Sequence, residues 1–212
     1  MVDALAKETR QVVLLGAGYD SRPYRSEGIE AASVFEVDHP TTQAVKQDRV
    51  ERMLGSVPAN VAYVAVDFVR EDLGAALLAA GYDPRERTFF IWEGVTNYLN
   101  TIAVDATLRW IASYSGPASR LSFTYIHRGL LDGSARFPGS ERWVEAVKGA
   151  GEPFTFGLHP AELDVYLAER GLRLLSDIST AEALKRHRPN VGNVATPPAF
   201  YRVALAEIQG HS

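Results

Sequence analysis

Glycines and acids close four apolar runs in this chain. Val12-Val13-Leu14-Leu15 passes into Gly16-Ala17-Gly18-Tyr19-Asp20, Val34-Phe35-Glu36-Val37 into Asp38, residues 61–66 into Asp67-Phe68, and Phe89-Phe90-Ile91-Trp92 into Glu93-Gly94. An apolar run ending in Gly-x-Gly is how a buried parallel strand feeds a tight turn beneath a bound nucleotide. Gly16 lets the backbone reverse, and Gly18 lets it approach a ligand with no Cβ in the way. The competing reading, for that stretch alone, is an ordinary strand-to-helix turn. Ligands of open α/β sheets sit beyond the carboxyl ends of the strands, so four successive endings of this kind favour a site.

The neighbouring residues choose the ligand. A dinucleotide turn wants a third glycine three places after Gly18, so that pyrophosphate settles on a helix N-terminus, and position 21 is Ser. Asp20 repels a phosphate but suits an ammonium or a ribose, which favours S-adenosylmethionine over NAD. Asp38 lies twenty positions beyond Gly18, where a βαβ unit brings a carboxylate to a cofactor ribose. Glu36 on the same strand face is the alternative, and capping the helix that starts at Pro40 is the competing role for Asp38. Asp67 can accept from an adenine amino group while Phe68 packs on the purine, or the two can cap and pack the next helix. A buried Glu is rare unless paired, so Glu93 is expected to face the crevice or hold a backbone amide there.

Composition narrows the class. With 212 residues, 46% of them apolar, the chain is long enough for one domain with a substantial core. A net charge of −4 gives no basic footprint for nucleic acid, and the absence of cysteine excludes disulfides and thiolate chemistry. The start lacks a positive n-region and an apolar h-region, and no apolar run reaches membrane-spanning length. A cytoplasmic protein without membrane or nucleic-acid partners is expected. There is no internal repeat and no His/Asp/Glu cluster with metal-ligand spacing.

Periodicity and punctuation predict strands at residues 11–15, 33–38, 61–66, 88–92, 119–126, 172–178 and 200–206. Helices are expected at residues 20–31, 40–54, 72–80, 101–113, 141–150 and 159–170, with residues 3–10 ending a further one. Asn100 or Thr101 caps the fourth of these, and Trp143 and Val144 lie on the apolar side of the fifth. Residues 130–138 read as a loop, and residues 152–157 with the 186–198 loop as walls of an acceptor pocket.

Three motifs, Leu15-Gly16-Ala17-Gly18-Tyr19-Asp20-Ser21-Arg22, Phe35-Glu36-Val37-Asp38-His39-Pro40 and Ile91-Trp92-Glu93-Gly94-Val95-Thr96-Asn97-Tyr98-Leu99, resemble the leucine carboxyl methyltransferase family. The likeness is greatest to its bacterial S-adenosylmethionine-dependent branch, which includes polyketide O-methyltransferases. Ser122-Phe123-Thr124-Tyr125 and residues 154–160 carry it further, over nearly the whole chain. The resemblance implies an α/β, Rossmann-like class I methyltransferase fold, with a seven-stranded mostly parallel sheet whose last strand is antiparallel. It implies a single domain over residues 1–212. Gly16, Gly18 and Asp20 would then seat the methionine part of the cofactor, Asp38 the ribose, Asp67 and Phe68 the adenine, and Glu93 the region below the sulfonium. Ala17, Arg22, His39 and Gly94 complete that set. Only ten residues precede Gln11, where the family carries a helical segment covering the cofactor. The chain is thus expected to be a short member, a fragment, or one that borrows its lid in a homodimer.

The expected activity is O-methylation of a small molecule. A carboxylate acceptor, which the resemblance favours slightly, is ionised at pH 7 and needs only a cation, Arg128 or Arg22. A hydroxyl acceptor needs a base, His127 or His159. Tyr98 and Tyr125 are candidates to touch the sulfonium or the acceptor, with plain packing as the competing role. Two other readings are a cofactor binder without turnover and an NAD-dependent oxidoreductase.

Overall fold

A computed structural model describes residues 9–68, 70–149, 151, 153–187 and 197–209. Seven strands form one sheet: β1 (Gln11–Leu15), β2 (Ser33–Asp38), β3 (Val61–Ala65), β4 (Thr88–Trp92), β5 (Arg120–Ile126), β6 (Leu172–Ser179) and β7 (Tyr201–Ile208). Their order is β3-β2-β1-β4-β5-β7-β6. β1 to β5 pair in parallel, and β7 runs antiparallel to both β5 and β6. The sheet is therefore the expected one, and its order reverses beside β1, so that β1 and β4 part at their carboxyl ends to leave a crevice.

Side-chain alternation divides the strands between two cores. Val13, Leu15, Phe35, Val37, Phe90, Trp92, Leu121 and Phe123 pack on one face, while Val12, Leu14, Val34, Phe89 and Ile91 pack on the other. β1 and β4 are buried along their whole length, which is why each reads in sequence as an unbroken apolar run rather than an alternating one.

The helices are α1 (Arg22–Arg25), α2 (Pro40–Leu54), α3 (Leu73–Ala79), α4 (Thr101–Ser113), α5 (Gly129–Asp132), α6 (Ser140–Gly149), α7 (Leu163–Ala168) and α8 (Thr180–His187). α3 is capped by Asp72 and α4 by Asn100, each side chain accepting from the backbone three residues on. Several expectations need correction. The helix expected over residues 20–31 is the single turn α1 and a 3-10 turn, Ile29–Ala31, because Ser26 turns extended and Gly28 takes φ 79. The loop expected at residues 130–138 contains most of α5. Trp143 and Val144 stay exposed, so α6 has no packed apolar side. Helix 159–170 is a 3-10 turn followed by the shorter α7, and α8, unexpected, follows β6. Residues 1–8, Ala150, Glu152 and residues 188–196, which carry parts of the expected N-terminal helix, of the fifth helix and of the acceptor walls, lie outside the described residues.

Candidate functional site

The glycine turn is tied to the next strand by three backbone donors. Gly16 and Ala17 N–H donate to the Val37 carbonyl at 2.8 and 2.9 Å, and Gly18 N–H donates to Asp38 Oδ2. Gly16 has φ 70 and Gly18 φ 45, conformations that favour glycine. A Cβ on Gly16 would overlap Val95 Cγ2. Gly16→Ala is therefore expected to cost about 1–3 kcal/mol from left-handed backbone strain and displacement of Val95, read as a lower urea midpoint together with weaker ligand binding.

Asp38 does not cap α2. Its Oδ1 accepts from His39 N–H at 2.6 Å, and the cap is His39, whose Nδ1 accepts from Thr41 N–H at 3.3 Å. The alternative, Glu36, is unavailable to a ligand: it is buried, paired with Lys46 Nζ at 2.6 Å, and accepts from Tyr24 OH at 2.7 Å. Asp67 does not cap α3, since Asp72 does; its backbone N–H donates to Glu71 Oε2 and its carboxylate lies 3.7 Å from Arg70 Nε.

Two adjoining hollows open along the carboxyl ends of β3, β2, β1 and β4. The larger, about 670 Å³, brings together Gly16, Gly18, Asp38, His39, Asp67, Phe68, Gly94 and Tyr98, with Val95, Leu99 and Thr155 among its other walls. The smaller, about 390 Å³, is lined by Ala17, Asp20, Arg22 and Glu93 and shares Gly16, Gly18, Gly94 and Val95 with the first. All of the cofactor-binding residues expected from sequence thus meet in one crevice. Pro153 and Thr155, from the stretch expected to wall an acceptor pocket, line it too, as do Thr42, Val95 and Leu99, for which sequence reasoning singled out no role.

Charge is concentrated at the smaller end. Arg22 Nε donates to Asp20 Oδ2 at 2.7 Å, and its terminal nitrogens reach both oxygens of Glu93 at 2.8 and 3.3 Å. Burial works against the Arg22 charge, but the hydrogen bonds and charges of Asp20 and Glu93 outweigh it and raise the guanidinium above its ordinary value. Held between two carboxylates, Arg22 is not the free cation that an acceptor carboxylate would need.

The other catalytic candidates separate. Tyr98 is 39% exposed at the rim, its ring 5.9 Å from that of Phe154. Tyr125 is fully buried and donates to Asp177 Oδ2 at 2.9 Å, so contact with the sulfonium or acceptor is corrected to packing. His127 Nδ1 accepts from Gly129 N–H at 3.0 Å, which occupies the lone pair a neutral imidazole offers as base. Burial, His159 and Arg202 further lower its proton affinity. Tyr125, His127, His159 and the exposed Arg128 line neither hollow. His159 Nε2 lies 3.5 Å from Asp132 Oδ2. Among the described residues no group of three or more His, Cys, Asp or Glu could hold a metal ion, and no helix is long and apolar enough to cross a membrane.

Comparison with known proteins settles the family. Residues 1–112 match the family model described as leucine carboxyl methyltransferase. The chain belongs to the leucine carboxyl methyltransferase family. Family relatives include a Streptomyces avermitilis protein named among the S-adenosyl-L-methionine-dependent methyltransferases, 39% identical over 148 residues, covering 68% of this chain and 52% of the relative. A similarly named Mycobacterium protein is 34% identical over 196 residues, covering 86% of this chain and 60% of its own. The chain spans about half the length of the curated relatives it matches. Among solved structures, a DUF574 family protein of Streptomyces avermitilis superposes with TM-score 0.65 at 17% identity, over 98% of this chain and 79% of that one. Magnesium protoporphyrin IX methyltransferase of Synechocystis, solved with S-adenosylhomocysteine, gives 0.57 at 15%, over 98% and 81%. The fold is that of the class I methyltransferases. The family's named cofactor and the bound product in that neighbour agree with S-adenosylmethionine as the cofactor expected from sequence. Nothing in the comparisons supports the NAD-dependent or the turnover-free reading.

Proposed function

We propose that the crevice holds S-adenosylmethionine and that the protein transfers its methyl group to an oxygen of a small molecule, a carboxylate or a hydroxyl. The observation that carries this is the charge layout along one continuous crevice. Asp38, Asp67 and Phe68 at the wide end suit a nucleoside, and Asp20, Arg22 and Glu93 at the narrow end suit a zwitterionic amino acid. The residues that support this reading are a carboxylate for ribose hydroxyls at Asp38, an aromatic wall at Phe68, the charged group of Asp20, Arg22 and Glu93 for the amino-acid end, and a glycine floor at Gly16 that tolerates no Cβ. When bound, the sulfonium supplies an electrophilic methyl group.

The work left to the protein is alignment. Tyr98, Leu99 and Thr155 stand where they can orient an acceptor against the crevice, which turns a bimolecular displacement into an oriented one. An acceptor carboxylate enters already ionised. A hydroxyl needs its proton taken, and neither candidate base, His127 or His159, lines the hollows.

Thermal unfolding with ligand tests the reading. S-adenosylhomocysteine at a hundred times its Kd stabilises the native chain by about 2.7 kcal/mol, whereas NAD leaves the midpoint unchanged. A midpoint raised by NAD alone overturns the proposal. Once an acceptor is found, mild alkali separates the two oxygen classes, because a methyl ester releases methanol and a methyl ether does not.

A further inference from the structure

The wall of the crevice formed by residues 93–99 is stapled from behind by the far side of the sheet. Gly94 N–H donates to Thr124 Oγ1 on β5 at 2.8 Å, and Thr96 Oγ1 donates to the Thr124 carbonyl at 2.6 Å. Tyr201, the first residue of β7, donates its hydroxyl proton to Asn97 Oδ1 at 3.1 Å. Two side chains behind the wall thus hold it at separate points, Thr124 at Gly94 and Tyr201 at Asn97.

The two bonds grip the 93–99 turn at Gly94 and at Asn97. Between and beside these two points lie Val95, Tyr98 and Leu99, which line the larger hollow, and Glu93, which lines the smaller. Asn97 is fully buried, and its Nδ2 has no partner, so Tyr201 supplies the side-chain hydrogen bond that its carboxamide makes. The Asn97 carbonyl in turn accepts from Thr155 N–H at 2.8 Å, which fixes Thr155 against the same hollow. Loss of the Tyr201 hydroxyl would strand a buried amide at the centre of the wall.

We propose that Thr124 and Tyr201 are positioning residues for the methyl-transfer site, which hold the wall at residues 93–99 in its ligand-binding shape through their hydrogen bonds to Gly94 and Asn97. This rests on the crevice being the cofactor site. It assigns a functional part to β7, a strand that contributes no lining residue to either hollow.

The test is calorimetric titration of the full chain and its variants with S-adenosylhomocysteine, at a temperature where circular dichroism shows each one folded. Thr124→Val and Tyr201→Phe each weaken binding by about three- to tenfold, the range expected for one neutral hydrogen bond. Thr124→Ser keeps the hydroxyl and restores wild-type affinity. Unchanged affinity in both single variants, with or without a lowered unfolding midpoint, overturns the positioning role and leaves the cofactor reading intact. Failure of the unaltered chain to bind overturns both.

Discussion

Replacing Asp38 by Ala lowers affinity for S-adenosylhomocysteine on the order of a hundredfold, about 3 kcal/mol. The loss has two sources. Asp38 accepts from Gly18 N–H and from His39 N–H, so its carboxylate fastens the glycine turn to the end of β2. Hydrogen bonds to a charged group are worth about 1.5–3 kcal/mol each, and without them the turn at Gly18 relaxes. The same carboxylate faces the larger hollow, where the proposed ribose would share it. Asp38→Asn keeps an acceptor oxygen but no charge, and is expected to fall about tenfold, between the two. Calorimetry on both variants, beside their urea midpoints, checks the claim. Equal, wild-type affinity in the two would remove Asp38 from the site.

The strands and their ends were legible because burial on both faces writes itself into sequence. The apolar runs of β1 and β4 have no alternative placement, and a Gly-x-Gly or an acid at the end of such a run has few structural uses. Asp38 was found by its spacing from Gly18, and the Glu36 alternative failed because Lys46 and Tyr24, which claim it, are distant in sequence. The same blindness explains Tyr125 and Arg22. Tyr125 on β5 and Arg22 at the start of α1 are plausible ligand-facing types, and each is engaged by a partner, Asp177 or Glu93, that only the folded chain brings near. The helix expected after the glycine turn was lost to Gly28, whose φ 79 outweighed good helix formers on either side. Thr124 and Tyr201 were invisible as a pair, since what places them side by side behind one wall is an antiparallel β5–β7 register that no local pattern encodes. α6 misled most, because its apolar residues promised a packed face that the described residues do not supply.

Lys46→Met is expected to destabilise the fold by about 3–5 kcal/mol, the usual cost of removing one partner from a buried ion pair. Glu36 on β2 and Lys46 on α2 are 2.6 Å apart, with side chains 1% and 5% exposed. Tyr24 donates to Glu36 and meets Tyr63 OH at 2.8 Å, so one buried carboxylate joins α1, β2, α2 and β3. Methionine fills most of the lysine volume, which leaves charge as the main loss. Pairing Lys46→Met with Glu36→Gln should recover most of it, since no unpaired charge then remains. Acidity supplies a second check. Burial raises the Glu36 proton affinity above that of an ordinary carboxylate, while Lys46 and Tyr24 pull it back. The native state then binds this proton more tightly than the unfolded chain does, so the Glu36 contribution to stability grows as pH falls through the raised native value and is lost as pH rises through it. Without Lys46 that value moves higher still, so the deficit of Lys46→Met against wild type should narrow on acidification toward the ordinary carboxylate range, about pH 4 to 5. Urea unfolding of the wild type, the single variant and the double variant across that range reads the effect directly. A deficit that stays constant with pH would assign the loss to packing around the lysine stem rather than to an uncompensated carboxylate.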